Sequence, residues 1–205
     1  MTGSTQITDA QVFELYGRSL YLCGAIETRI KNMLQGAGGI IVFDLPKDLN
    51  LIPKMIEDGF KKLKEKDDKL LKQSLGNVWQ SVLERIYEVP NDKDIEKAES
   101  EGKFAFKMNF HISSKGHLAA AKRRMSALID HRNYLAHKFF AEYPLNTPES
   151  CTDAFNLLTE KYEVIKRAFD FFDADFKITH QMKQYFSQIQ FDKLNFSEEK
   201  KVKGK

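Results

Sequence analysis

The chain has 205 residues, 42% of them hydrophobic and 30% charged, which excludes a disordered chain and is enough for one domain, or one domain with an insertion. A net charge of only +3 excludes a polycation that coats nucleic acid indiscriminately, so any RNA contact has to come from a local patch. The only cysteines, Cys23 and Cys151, lack metal-ligand spacing and favour a reducing compartment. Residues 1–6 have neither the basic start nor the apolar run of a signal peptide, and no apolar run reaches the roughly 18 residues of a membrane span. The expectation is a cytoplasmic protein with no membrane partner.

The spacing predicts a first helix from Asp9 to Leu34. Val12, Tyr16, Ser19, Cys23, Ile26, Ile30 and Met33 recur at alternating intervals of four and three, the stripe of a helix facing a core. Gly36, Gly38 and Gly39 end it. Residues 40–45 are a short, β-branched run closed by Pro46, a strand candidate. Helices are expected over 54–66 and 70–87, broken by the charged residues 65–68, and a charged, turn-rich, mobile linker over 90–102. Phe104, Phe106, Met108, Phe110 and Ile112 then alternate with Ala105, Lys107, Asn109 and His111, the period of a strand. A lone strand leaves its backbone unpaired, so it is expected to pair with 40–45.

Two long helices follow, over 118–140 and 152–176, the second with a continuation past His180. In that last helix Phe155, Leu158, Tyr162, Ile165, Phe169, Phe172 and Phe176 form a strict three-four seam, suited to intramolecular core or to a dimer interface. The result is a mainly α fold: a single helical domain over 1–196, a bundle of about four to five helices, with a β-hairpin-like appendage from 39–46 and 103–113. Residues 197–205 read as a disordered, Lys-rich tail.

The helix over 118–140 carries the informative chemistry. Leu118, Ala121, Met125, Leu128, Leu135 and Phe139 define its apolar face, widened by Ile129, Ala136 and Phe140, and Arg132 falls in the middle of it. A guanidinium there needs a carboxylate, a cavity or a bound anion. Glu27, itself on an apolar flank, is a candidate partner and a candidate active-site carboxylate. Ser126, Asn133 and His137 share one edge of the face, with Asp130 just beyond. Lys122, Arg123 and Arg124 form a basic run on the same helix, either a solvated face or a track for an RNA backbone. None of the histidines has metal-ligand spacing, and Gly36 to Gly39 lack the Lys-Ser/Thr ending of a phosphate loop, so no metal or cofactor is expected.

The segment Arg132-Asn133-Tyr134-Leu135-Ala136-His137, late in a helix and followed by another long helix, resembles the motif of the HEPN family, in which Arg, often followed by a polar residue, precedes His by a short spacer. Ser74-Leu75-Gly76-Asn77 also resembles a segment of some members. The resemblance covers the helical body over 9–176 and implies a metal-independent endoribonuclease acting across a homodimer. His137 would be general acid and base, Arg132 the phosphate and transition-state binder, and Asn133 an orienting residue. It also implies a toxin–antitoxin or antiviral defence setting, with an antitoxin protein as a further partner. Some family toxins carry a Tyr two residues after the His, which partner enzymes modify; Phe139 stands here instead, so that control is not expected. The alternatives are a non-catalytic module of the same kind binding RNA, nucleotide or protein, and a structural dimer.

Overall fold

The computed structural model describes residues 6–35, 37–88, 92–109, 111–112 and 114–192, with side chains of 108–109 and 186–192 left out. The described chain is mainly α, with seven α-helices and a two-stranded antiparallel sheet. In chain order these are α1 (Asp9–Leu34), β1 (Gly38–Asp44), α2 (Ile52–Leu70), α3 (Leu75–Val82), α4 (Lys93–Ser100), β2 (Lys103–Asn109), α5 (Lys115–His137), α6 (Phe139–Glu142) and α7 (Pro148–Asp192). A 3-10 turn (Leu49–Leu51) precedes α2, and a π turn (Leu83–Tyr87) ends α3. The tail over 197–205 lies outside the described residues.

The chain divides into two compact units, one formed by Met1–Asn32 with Ser113–Phe176, the other by Met33–Ile112 with Lys177–Lys205. In the first unit the stripe of α1 is as the spacing predicts: Val12, Ser19, Cys23, Ile26 and Ile30 are buried. A core cluster joins Val12 to Leu135, Phe139, Cys151, Ala154 and Leu158. The seam of α7 is shifted from the expected aromatic row. Ala154, Leu158, Ile165, Ala168, Phe172 and Asp175 are the buried line, while Phe155, Tyr162, Phe169 and Phe176 flank it half-buried. Alanines let neighbouring helices approach closely, and the larger rings then close the sides of the contact.

In the second unit the expected hairpin is present. β1 pairs with β2 antiparallel, from Gly38 opposite Asn109 to Asp44 opposite Lys103, and Phe43 packs on Phe104 with centroids 5.1 Å apart. Helix α2 lies against the sheet, with Phe60 edge-on to Phe106. A Cβ at Gly59 would stand 2.2 Å from Cγ2 of Ile41, so only glycine permits that approach.

Two expectations are corrected here. Helix α2 runs through the charged residues 65–68 without a break, because Asp67 turns inward, 5% exposed, and pairs with Arg85 at 2.7 Å. The helix ends at Leu70, three turn residues ahead of Ser74, the N-cap of α3. Within the expected linker, residues 93–100 form α4. Ala98 is its buried contact, Asp92 at its start holds Lys107 of β2 at 2.7 Å, and Gly102, with φ of 69°, makes the turn into β2.

Candidate functional site

Helix α5 begins at Ser114, whose hydroxyl accepts the His117 N–H at 3.1 Å, an N-cap. Its buried line is Ala121, Met125, Leu128, His131 and Leu135, continued by Phe139 of α6. Arg132 is exposed, a correction to its expected place in the middle of the apolar face. Positions 131 and 132 sit on either side of that face, about 60° and 40° from Leu128 at 100° per residue. Packing admits the side chain that can be neutral, and the permanently charged guanidinium extends to water. Ala136 and Phe140, expected to widen the face, are exposed as well, although Phe140 rests on Tyr16 at 4.8 Å.

His131 is 7% exposed, and its Nε2 is buried with no hydrogen-bond partner among the described residues. Burial, reinforced by the charge of Lys161, brings its pKa down to about 4, so the imidazole is neutral at pH 7. Arg132 lies close enough to Cys23 of α1 to act on it. Burial pushes that thiol up to about 11, and the guanidinium's charge opposes the rise.

The C-terminal end of α5 is firmly held. Leu135 and Phe139 are in the core cluster, the Tyr16 hydroxyl donates to the Leu135 carbonyl at 3.2 Å, and the Tyr134 hydroxyl donates to Oε2 of Glu142 at 2.7 Å. Burial and the Glu142 carboxylate both raise the Tyr134 pKa, keeping its phenol a donor. Between these anchors His137, the last residue of α5, is left exposed, as is Asn133 one turn earlier. Arg132, Asn133 and His137 share no side-chain hydrogen bond or ion pair with any described residue, so the fold presents them on neighbouring turns without bonding them together.

Of the supporting residues, Glu27 pairs with Lys31 at 2.8 Å, not with Arg132, and Asp130 is exposed. The basic run divides: Lys122 and Arg123 are exposed, whereas Arg124 lies over the Phe171 ring at 4.5 Å and donates to the Ala120 carbonyl.

A second polar cluster in the same unit escaped the sequence reading. Nε2 of His117 lies 3.0 and 2.9 Å from the two carboxylate oxygens of Asp175, which is 1% exposed, and its ring stacks on Phe171 at 4.6 Å. Arg29 pairs with Asp173 and covers the Phe169 ring at 4.2 Å. The partners are far apart in sequence and leave no local motif. The one available signal is Asp175 itself, a carboxylate three residues after the seam residue Phe172, where burial demands a partner.

In the second unit a cleft of about 410 Å³ opens beside Asp67, Phe60 and Leu63. Lys183 Nζ donates to the Met33 carbonyl at 3.2 Å, and burial lowers its pKa to about 8 against the pull of Asp67. Among the described residues no three His, Cys, Asp or Glu side chains are grouped to hold a metal ion, and no helix is long and apolar enough to cross a membrane. In comparisons with known proteins, no family model, no curated protein and no solved structure matches the chain.

Proposed function

We propose that the chain is a metal-independent endoribonuclease of the HEPN type, with Arg132, Asn133 and His137 as its site. The observation that carries this reading is that all three side chains are exposed at one end of α5 and unbonded to any described residue, Arg132 and Asn133 just before the buried anchor Leu135 and His137 between it and Phe139. An arginine kept for structure would hold a carboxylate, and the partner expected from the sequence, Glu27, is engaged by Lys31. Arg132 is thus available for a phosphate, which its planar fork of donors suits.

In the reaction, His137 takes the proton of a ribose 2′-hydroxyl as that oxygen attacks the adjacent phosphorus. Arg132 stabilises the charge that builds on the phosphoryl oxygens, and Asn133, which makes no hydrogen bond to the imidazole, orients the ribose. The P–O5′ bond breaks, and the leaving 5′-oxygen takes a proton from the His137 of a second copy. The products are a 2′,3′-cyclic phosphate and a 5′-hydroxyl. Lys122 and Arg123 supply backbone contacts away from the reacting bond. The setting is a toxin–antitoxin or antiviral defence system in the cytoplasm, with an antitoxin protein restraining the enzyme.

One observation favours a second reading: no described residue orients His137 by a hydrogen bond. In a binding module Arg132 and Asn133 hold a phosphate and His137 has no proton to move. Incubation of a mixed RNA pool with purified protein in EDTA, comparing wild type, His137→Ala and Arg132→Ala, separates the two. Cleavage by wild type alone supports the nuclease. RNA binding that is lost in Arg132→Ala, without cleavage by any form, supports the module.

A further inference from the structure

A groove of about 370 Å³ in the second unit is lined on one side by the consecutive residues Ile40, Ile41, Val42 and Phe43. Successive side chains of a strand point to opposite faces of its sheet. Four in a row can therefore border one groove only along the edge of the strand. β1 has its partner, β2, on the other edge, and the sheet has these two strands alone among the described residues. β2 contributes nothing to the lining, so the groove follows the free edge of β1. Every second residue along that edge directs its N–H and C=O outward, where only water or another strand can satisfy them.

The opposite wall is one stripe of α2. Met55, Gly59 and Leu63 form its apolar part, and Gly59 fixes the spacing because a Cβ there would meet Ile41 at 2.2 Å. Lys62 and Lys66, one turn apart and exposed, stand on the rim. Neither makes an ion pair with a described residue, nor does Asp58, the one acidic side chain of the lining.

We propose that this groove takes an extended, acidic peptide segment of another protein, which joins β1 as a third strand. Main-chain hydrogen bonds to the edge provide affinity, and side chains on alternate positions provide selection. On the face toward α2, apolar side chains of the guest meet Met55 and Leu63, and carboxylates meet Lys62 and Lys66. The free backbone edge distinguishes this guest from a nucleic acid, which would use the two lysines and leave the edge unpaired. The proposal is independent of RNA cleavage.

The test is fluorescence anisotropy with a labelled seven-residue peptide alternating valine and glutamate, on the full chain and on K62E/K66E. Controls are the same peptide with lysine for glutamate, one N-methylated at alternate residues, and a single-stranded oligonucleotide. Amide resonances of residues 40–43 are followed by NMR. The valine–glutamate peptide is expected to bind below about 1 mM and to shift those amides. Charge reversal should weaken it by about tenfold with an unchanged circular dichroism spectrum, and N-methylation should abolish binding. The proposal is overturned by no binding at that concentration, by equal binding to K62E/K66E, or by equal binding of the N-methylated peptide. It is equally overturned if the oligonucleotide alone shifts residues 40–43, or if a second copy of the chain already pairs with β1.

Discussion

Replacing His131 by leucine should make the protein less sensitive to acid. The imidazole is buried, its Nε2 has no partner among the described residues, and its pKa falls from 6.5 to about 4. Above pH 6.5 both folded and unfolded chains hold it neutral, and it contributes no pH dependence. As pH falls, the unfolded chain takes up a proton that the folded chain refuses, and stability is lost until about pH 4, where the loss levels off. With these two values the linkage amounts to about 2 kcal/mol between pH 7.5 and 5, and about 3 kcal/mol by pH 4. Leucine has a similar volume and leaves no orphaned nitrogen, so at pH 7.5 the variant should be at least as stable as wild type. Urea unfolding at pH 7.5 and 5, followed by far-ultraviolet circular dichroism, gives the comparison. The loss on acidification should be about 2 kcal/mol smaller in His131→Leu, and the His131 ring protons should titrate near pH 4 in NMR spectra of wild type. Equal losses in the two proteins, or titration near 6.5, would refute the burial argument.

Other substitutions probe separate parts of the structure. Asp67→Asn leaves the half-buried Arg85 guanidinium beside a neutral amide and should cost about 1–3 kcal/mol in urea unfolding monitored at Trp79. Gly59→Ala drives a methyl into Ile41 and should cost about 1–3 kcal/mol by the same measurement, since β1 or α2 has to move. Arg132→Ala removes an exposed, unpaired side chain, so its melting should match wild type to within about 0.5 kcal/mol. A large loss of stability there would make Arg132 a structural residue.

Periodicity carried the fold further than it carried the site. In α1 one stripe at four-three spacing places both the helix and its buried face, and in β1 and β2 a run closed by Pro46 and a period of two place the hairpin. Helix α4 was hidden because it is mostly charged, with Ala98 as its single buried residue; contact with the hairpin, not an apolar stripe, stabilises it. At the site, residues 132–137 were legible as a motif, but the phase of α5 was not. His131 and Arg132 both border the apolar arc, and only the cost of burying a charge decides between them. The His117–Asp175 pair joins residues 58 apart, a proximity created by packing α5 on α7 and written in no local pattern.

The most direct test of the central claim is the chemistry of the RNA ends. After single-turnover incubation in EDTA with wild type and His137→Ala, 3′ termini are analysed by mass spectrometry. The account predicts 2′,3′-cyclic phosphate termini from wild type, none from His137→Ala, and none from a substrate whose 2′-hydroxyls are replaced by hydrogen. Cleavage that persists in His137→Ala, or on the 2′-deoxy substrate, would contradict it.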